Sequence, residues 1–116
     1  MALDLRPART AVAEHAPVRR YPRTLFSVPL MLRHQGAGGI RPSRGSSLDL
    51  GEGGLGAIVQ GDLRVGEMVE IDVRLPACPL SAVAIVRHAA SVRSGFEFLG
   101  LTAEKRQQIT NAIGNS

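Results

Sequence analysis

The chain has 116 residues, 14 Lys and Arg against 10 Asp and Glu, a single cysteine and no tryptophan. That length suits one domain with its own core, and Cys78 with the scattered His15, His34 and His88 leaves neither a disulfide nor a Cys/His zinc spacing. No apolar run approaches a membrane span, and Ala11-Val12-Ala13 is too short for a signal-peptide core, so a cytoplasmic domain is expected.

Residues 1–18 carry Pro7 and Pro17 and no sustained hydrophobic period, and they read as a flexible tail or linker. The domain proper is then 19–116. The charge is uneven across the chain. Residues 1–44 hold eight arginines against Asp4 and Glu14, whereas residues 45–116 hold six bases against eight acids. Arg19, Arg20 and Arg23 crowd one short segment, and Pro22 bars a helix there and keeps Tyr21 extended. Three guanidinium groups so close repel one another unless an anion sits among them.

Thr24–His34 reads as the first strand, with Pro29 marking an edge or a bulge. Gln35–Gly39 is expected to be a loop, with Ile40–Ser43 extending its flank. Arg44–Leu50 is the second strand, and it runs into the glycine-rich stretch Gly51-Glu52-Gly53-Gly54. Leu55–Gln60 is the third strand. Glu67–Leu75 alternates most cleanly, with Val69, Ile71, Val73 and Leu75 on one face and Glu70, Asp72 and Arg74 on the solvated other. Leu80–Ala89 and Arg93–Leu99 follow. Cys78, in the break between them and the fourth strand, is expected to be a packed small hydrophobe. Thr102 has the chemistry of an N-cap for a helix over about 103–113, with Glu104 in its first turn, Ile109, Ala112 and Ile113 on one stripe, and Gly114 at its end. Six short strands and one helix predict a mostly β fold, a six-stranded antiparallel barrel whose C-terminal helix covers an open end. Closure also removes exposed sheet edges.

Gly51, Gly53 and Gly56 spell a dinucleotide fingerprint after a strand. That motif requires a helix to begin at its glycines, and the β-branched run Ile58-Val59 before Gly61-Asp62 is too short for one. Strand, turn, strand is the expected course.

Taken together, Arg19-x-x-x-Arg23 and Asp49-x-Gly51-x-x-Gly54 resemble the PilZ domain family, which pairs R-x-x-x-R before its first strand with [D/N]-x-S-x-x-G at a later strand turn. The resemblance runs from residue 19 to about 113. It implies that the ligand is cyclic di-GMP, a second messenger with two guanines and two phosphates, held by Arg19, Arg20, Arg23, Asp49, Gly51 and Gly54, with no further cofactor. The residue chemistry is compatible. Arginine neutralises phosphate and forks onto guanine O6 and N7. Asp49 is an acceptor suited to guanine N1–H and N2–H₂, and Gly54 permits close backbone approach or a positive φ. One position departs from the family. Gly51 stands where the motif has serine, and one lost neutral hydrogen bond costs about 0.5–1.5 kcal/mol. Restoring the hydroxyl by Gly51→Ser is expected to tighten binding.

Two functions follow as expectations. In the first, cyclic di-GMP binds between the arginine arm and the glycine turn, and ordering of the arm is the signal passed to a downstream protein partner. In the second, the barrel is a ligand-free adaptor working through protein contacts, for instance in motility or pilus machinery. A nucleic-acid barrel would fit the isoelectric point of about 10.6. Such barrels stack bases on aromatics, however, and only Tyr21, Phe26, Phe96 and Phe98 are present, so no DNA or RNA partner is expected. No Ser/His/Asp or Cys/His set has a catalytic context, and no enzyme is expected.

Overall fold

The computed structural model describes residues 22–36 and 39–114, with the backbone alone for residues 34–36 and 39–41. Seven strands and one helix follow in order: β1 (Thr24–Leu25), β2 (Pro29–Gly36), β3 (Gly39–Leu50), β4 (Gly54–Val59), β5 (Met68–Val73), β6 (Leu80–Ala89), β7 (Ser94–Leu99) and α1 (Ala103–Gly114). All pairings are antiparallel. They run β3-β2-β5-β6-β7-β4, and β4 closes back onto β3, so six strands form a barrel. The two-residue β1 pairs with the far end of β3, placing Thr24 opposite Leu50 and Leu25 opposite Asp49.

The expected first strand is thus one barrel strand broken in the middle. Phe26–Val28 leaves the regular pairing but keeps two backbone bonds to β3, from Phe26 N–H to Leu48 and from Ser47 N–H to Val28. The fully buried Ser47 adds its hydroxyl, which accepts from Val28 N–H at 2.9 Å and donates to the Phe26 carbonyl. Pro29 then opens β2, where a missing donor does least harm. The hairpin after it corrects the expected Gln35–Gly39 loop. Gln35 pairs with Ile40 and Gly36 with Gly39, so the second strand starts at Gly39 rather than Arg44. Glycines and Pro42 erase the alternating pattern there, and β2 still supplies the ladder partner. Up to residue 43 this part of β3 is paired on the β2 side only, an edge that tolerates a proline.

Inside the barrel, Val69, Ile71, Val73 and Leu75 are buried as their alternation predicts. In β6 the nearly continuous apolar run resolves into two faces. Leu80, Ala82, Ala84 and Val86 point in, while Ser81, Val83 and Arg87 are exposed. Phe96 and Phe98 of β7 complete the core with Leu30, Leu32, Leu50 and Leu55. On the outside, Arg33 of β2 donates to Glu70 and Asp72 of β5, and Ser81 of β6 donates to Asp72 at 2.7 Å. The Glu70/Asp72 face is therefore an ion-pair ladder rather than plain solvated surface.

Because the strands alternate in direction round the barrel, β3, β5 and β7 run the same way. Their C-terminal ends, and so the glycine turn, the β5–β6 connection and the start of α1, gather at one end of the barrel. Thr102 caps α1 by accepting from Lys105 N–H at 3.1 Å, and Ile109 inserts into the core with Ala112 and Ile113 packed beside it. Gln108 donates to the sulfur of Cys78, and Thr110 donates to Glu52 in the glycine turn. Cys78 itself is exposed, contrary to expectation, because the proline-bounded connection carries it out over the barrel's rim. Among the described residues no helix is long and apolar enough to cross a membrane.

Candidate functional site

The glycine turn is a strand turn, with β3 ending at Leu50 and β4 starting at Gly54. Gly51 N–H donates to the Gly54 carbonyl at 3.0 Å and closes it, and Phe98 N–H donates to the Gly53 carbonyl at 2.9 Å. With the Thr110–Glu52 bond from α1, the turn is held by the barrel wall and the helix at once.

A β-bulge aims Asp49. Ser47 pairs with Ala57 and Asp49 with Gly56, so Leu48 is the extra residue. The slip takes Asp49 off the inward face it would share with Ser47 and sets it opposite Gly56 on the barrel's outer face, while Leu50 turns in opposite Leu55, as bulges beside functional sites commonly re-aim a side chain. Asp49 is 8% exposed, the one charged residue among the described residues that is buried. Such a carboxylate is tolerable only if paired and hydrogen-bonded. Its Oδ1 accepts from Gly56 N–H at 2.8 Å and lies 3.5 Å from Nη1 of Arg23, while its Oδ2 accepts from Nη2 of Arg93 at 2.5 Å. Burial by itself would raise the Asp49 pKa. The hydrogen bonds from Arg93 and Gly56, with the charges of Arg93 and Arg23, outweigh burial and hold the carboxyl below its ordinary value. Asp49 is an anion at neutral pH.

Arg23 reaches the site from the segment before β1. Its side chain is 16% exposed, and its Nη2 donates to the Phe96 carbonyl at 3.5 Å. The glycines explain how it fits. A Cβ on Gly54 would overlap the Phe96 carbonyl oxygen and sit 3.1 Å from Nη2 of Arg23. A Cβ on Gly51 would overlap the carbonyl oxygen of Pro22 and crowd Arg23 Cγ at 3.2 Å. Neither glycine has a positive φ. Both are there for close approach: at Gly51 what approaches is the chain's own arm, and at Gly54 it is the Phe96 backbone of β7 with Arg23 beside it. This bears on Gly51→Ser, because the serine side chain would enter space that Pro22 and Arg23 already fill.

The structure therefore brings Arg23, Asp49, Gly51 and Gly54 together at one end of the barrel. Arg19 and Arg20 lie outside the described residues, as does the proposed tail over 1–18. Arg93 and Gly56 were not singled out as ligand residues from sequence. Arg93 stands just before β7, and only the pairing of β7 with β4, Gly95 opposite Gly56, shows that its side chain can cross to Asp49. Gly56 is bare because the Arg93 guanidinium lies over it, where a Cβ would overlap Nη2. In sequence it is merely the last glycine of the false fingerprint.

The family model for the PilZ domain matches residues 17–115. No curated protein matches the chain by sequence. Among solved structures, the PilZ domain of CeSA from a cellulose-synthesizing bacterium superposes with a TM-score of 0.64 at 19% identity, covering 81% of this chain and 96% of that one. The PilZ domain of YcgR from Escherichia coli with c-di-GMP gives 0.68 at 21% identity, covering 84% and 89%. The Bacillus subtilis inhibitor of motility MotI/DgrA gives 0.68 at 17% identity over 85% of this chain and 51% of its own. These likenesses establish the shared barrel, and the family match over nearly all of the domain establishes descent: the chain belongs to the PilZ domain family.

Proposed function

We propose that this barrel is a cyclic di-GMP sensor, with the ligand held between the arginine arm and the glycine turn. One observation carries the reading. The two halves of the motif, far apart in sequence, meet in space, with Arg23 against Asp49 at 3.5 Å over the bare backbone of Gly51 and Gly54. The PilZ domain of YcgR, a structural neighbour, holds c-di-GMP.

The chemistry assigns distinct parts. Arg23 sits at the turn already oriented by Asp49, and Arg19 and Arg20 precede it in the same segment. Together they offer planar forks for two phosphates and for guanine O6 and N7. A carboxylate has about four acceptor directions, and three donors, from Gly56, Arg23 and Arg93, already use Asp49. Room is left for one guanine N–H. Gly51 contributes no hydroxyl, so the ligand rests on charge and backbone there. Because the same arm that grips the ligand is packed on Gly51, ligand binding is coupled to arm conformation, and that coupling is the signal offered to a downstream protein. No catalytic step is involved.

Isothermal titration of the whole chain with cyclic di-GMP tests this directly. Heat with saturable binding is expected, weakened by Arg23→Ala and by Arg19→Ala. No heat at tens of micromolar would overturn the sensor reading, and a partner captured equally with and without the nucleotide would point to the adaptor instead.

A further inference from the structure

We infer that Arg93 is a third arginine of the ligand site, contacting a phosphate of the bound nucleotide from the side opposite the arm. The inference rests on the sensor reading and extends it to a residue outside both family motifs.

Arg93 closes the turn between β6 and β7, with Ala90 N–H donating to its carbonyl at 3.1 Å and its own N–H donating to Ala90 at 3.3 Å. Its backbone is thus fixed on a tight turn, and its side chain runs back over Gly56 to Asp49. Arg23 and Arg93 hold the same carboxylate from opposite sides, one at Oδ1 and the other at Oδ2. Two guanidinium groups around one carboxylate leave a net positive charge at the surface of the site. Arg93 is the more open of the two, with 36% of its side chain exposed against 16% for Arg23. Only its Nη2 is bonded to a described residue, so Nε and Nη1 remain to donate outward among the described residues. A planar fork with one edge pinned by a buried carboxylate and the other edge open is pre-organised for an anion, since its rotamer entropy is already spent.

A bland alternative has Arg93 serving only as counter-ion to the buried Asp49. The variants Arg93→Gln and Arg93→Lys separate the two. Glutamine can still donate to Asp49 but carries no charge, and lysine keeps the charge without the fork. If Arg93 touches phosphate, Arg93→Gln still folds, with a lower thermal midpoint because Asp49 loses a charged partner, and binds cyclic di-GMP roughly 10- to 100-fold more weakly. Its affinity then also depends less on ionic strength than the native chain's does, because one attractive charge is gone. Arg93→Lys falls between. In the native protein the Arg93 Nε–H resonance shifts on titration with cyclic di-GMP. Native-like affinity and salt dependence in Arg93→Gln would overturn the inference while leaving the sensor reading intact. Absence of binding by the native chain would overturn both.

Discussion

Asp49 and Asp72 each accept hydrogen bonds from arginine, and in both cases the pairing holds the carboxyl below its ordinary pKa. Their settings differ. Asp72 lies on the outer face of β5 with 30% of its side chain exposed, and its neighbours Arg33 and Ser81 reach it through solvent-facing positions on adjacent strands. Asp49 is set opposite Gly56 by a bulge and covered there, takes a backbone donor as well as two guanidinium groups, and has glycines where larger residues would block those groups. The same ion pair is therefore decoration in one place and an organising centre in the other. What separates them is desolvation: an exposed pair gains little over hydration, whereas a buried carboxylate that loses its partners keeps the full cost of having left water.

The largest effect should come from Asp49→Ala. It orphans Gly56 N–H and leaves two arginines facing each other, for a loss of about 2–4 kcal/mol in chemical denaturation together with loss of cyclic di-GMP binding. If that variant is as stable as the native chain, the contrast with Asp72 collapses. Next is Gly54→Ala, whose methyl group must displace the Phe96 backbone and Arg23. Overpacking of this kind costs about 1–3 kcal/mol, and a thermal melt reads it.

Gly51→Ser sharpens the comparison differently. From sequence it should tighten binding by restoring a donor. With Pro22 and Arg23 in the way, the arm must lift off the turn, and the expected result is weaker binding by a few-fold with little change in barrel stability. Titration of the variant beside the native chain decides the sign.

Acid separates the two carboxylates next. A group whose folded pKa is depressed contributes stability that is complete above the ordinary carboxylate value of about 3.9 and is lost as pH falls through the lower folded pKa. Both aspartates thus weaken the fold below about pH 4. Asp49→Asn should flatten that acid limb more than Asp72→Asn does, as followed by denaturation at stepped pH. The smallest effect is Asp72→Asn at neutral pH, within about 1 kcal/mol of native and smaller still in high salt.

Much of this molecule was legible in its sequence. The alternation Val69, Ile71, Val73 identified the barrel-facing side of β5, Thr102 marked the start of the helix, and two spaced motifs indicated that the arginine arm faces the glycine turn, though not that Arg23 pairs directly with Asp49. These are local signals, in which side-chain period or cap chemistry is written within a few neighbouring residues. The failures were also local in cause. Gly36, Gly39 and Pro42 hid a long hairpin, since a strand made by its partner needs no pattern of its own. Only the closed barrel decided the rest. It set the bulge that places Asp49 opposite Gly56, the crossing of Arg93 from the β6–β7 turn to β4, the outward course of Cys78, and the reason Gly51, Gly54 and Gly56 are bare. Each of these depends on which strand lies beside which. That order is the outcome of long-range closure, and no stretch of the chain carries it alone.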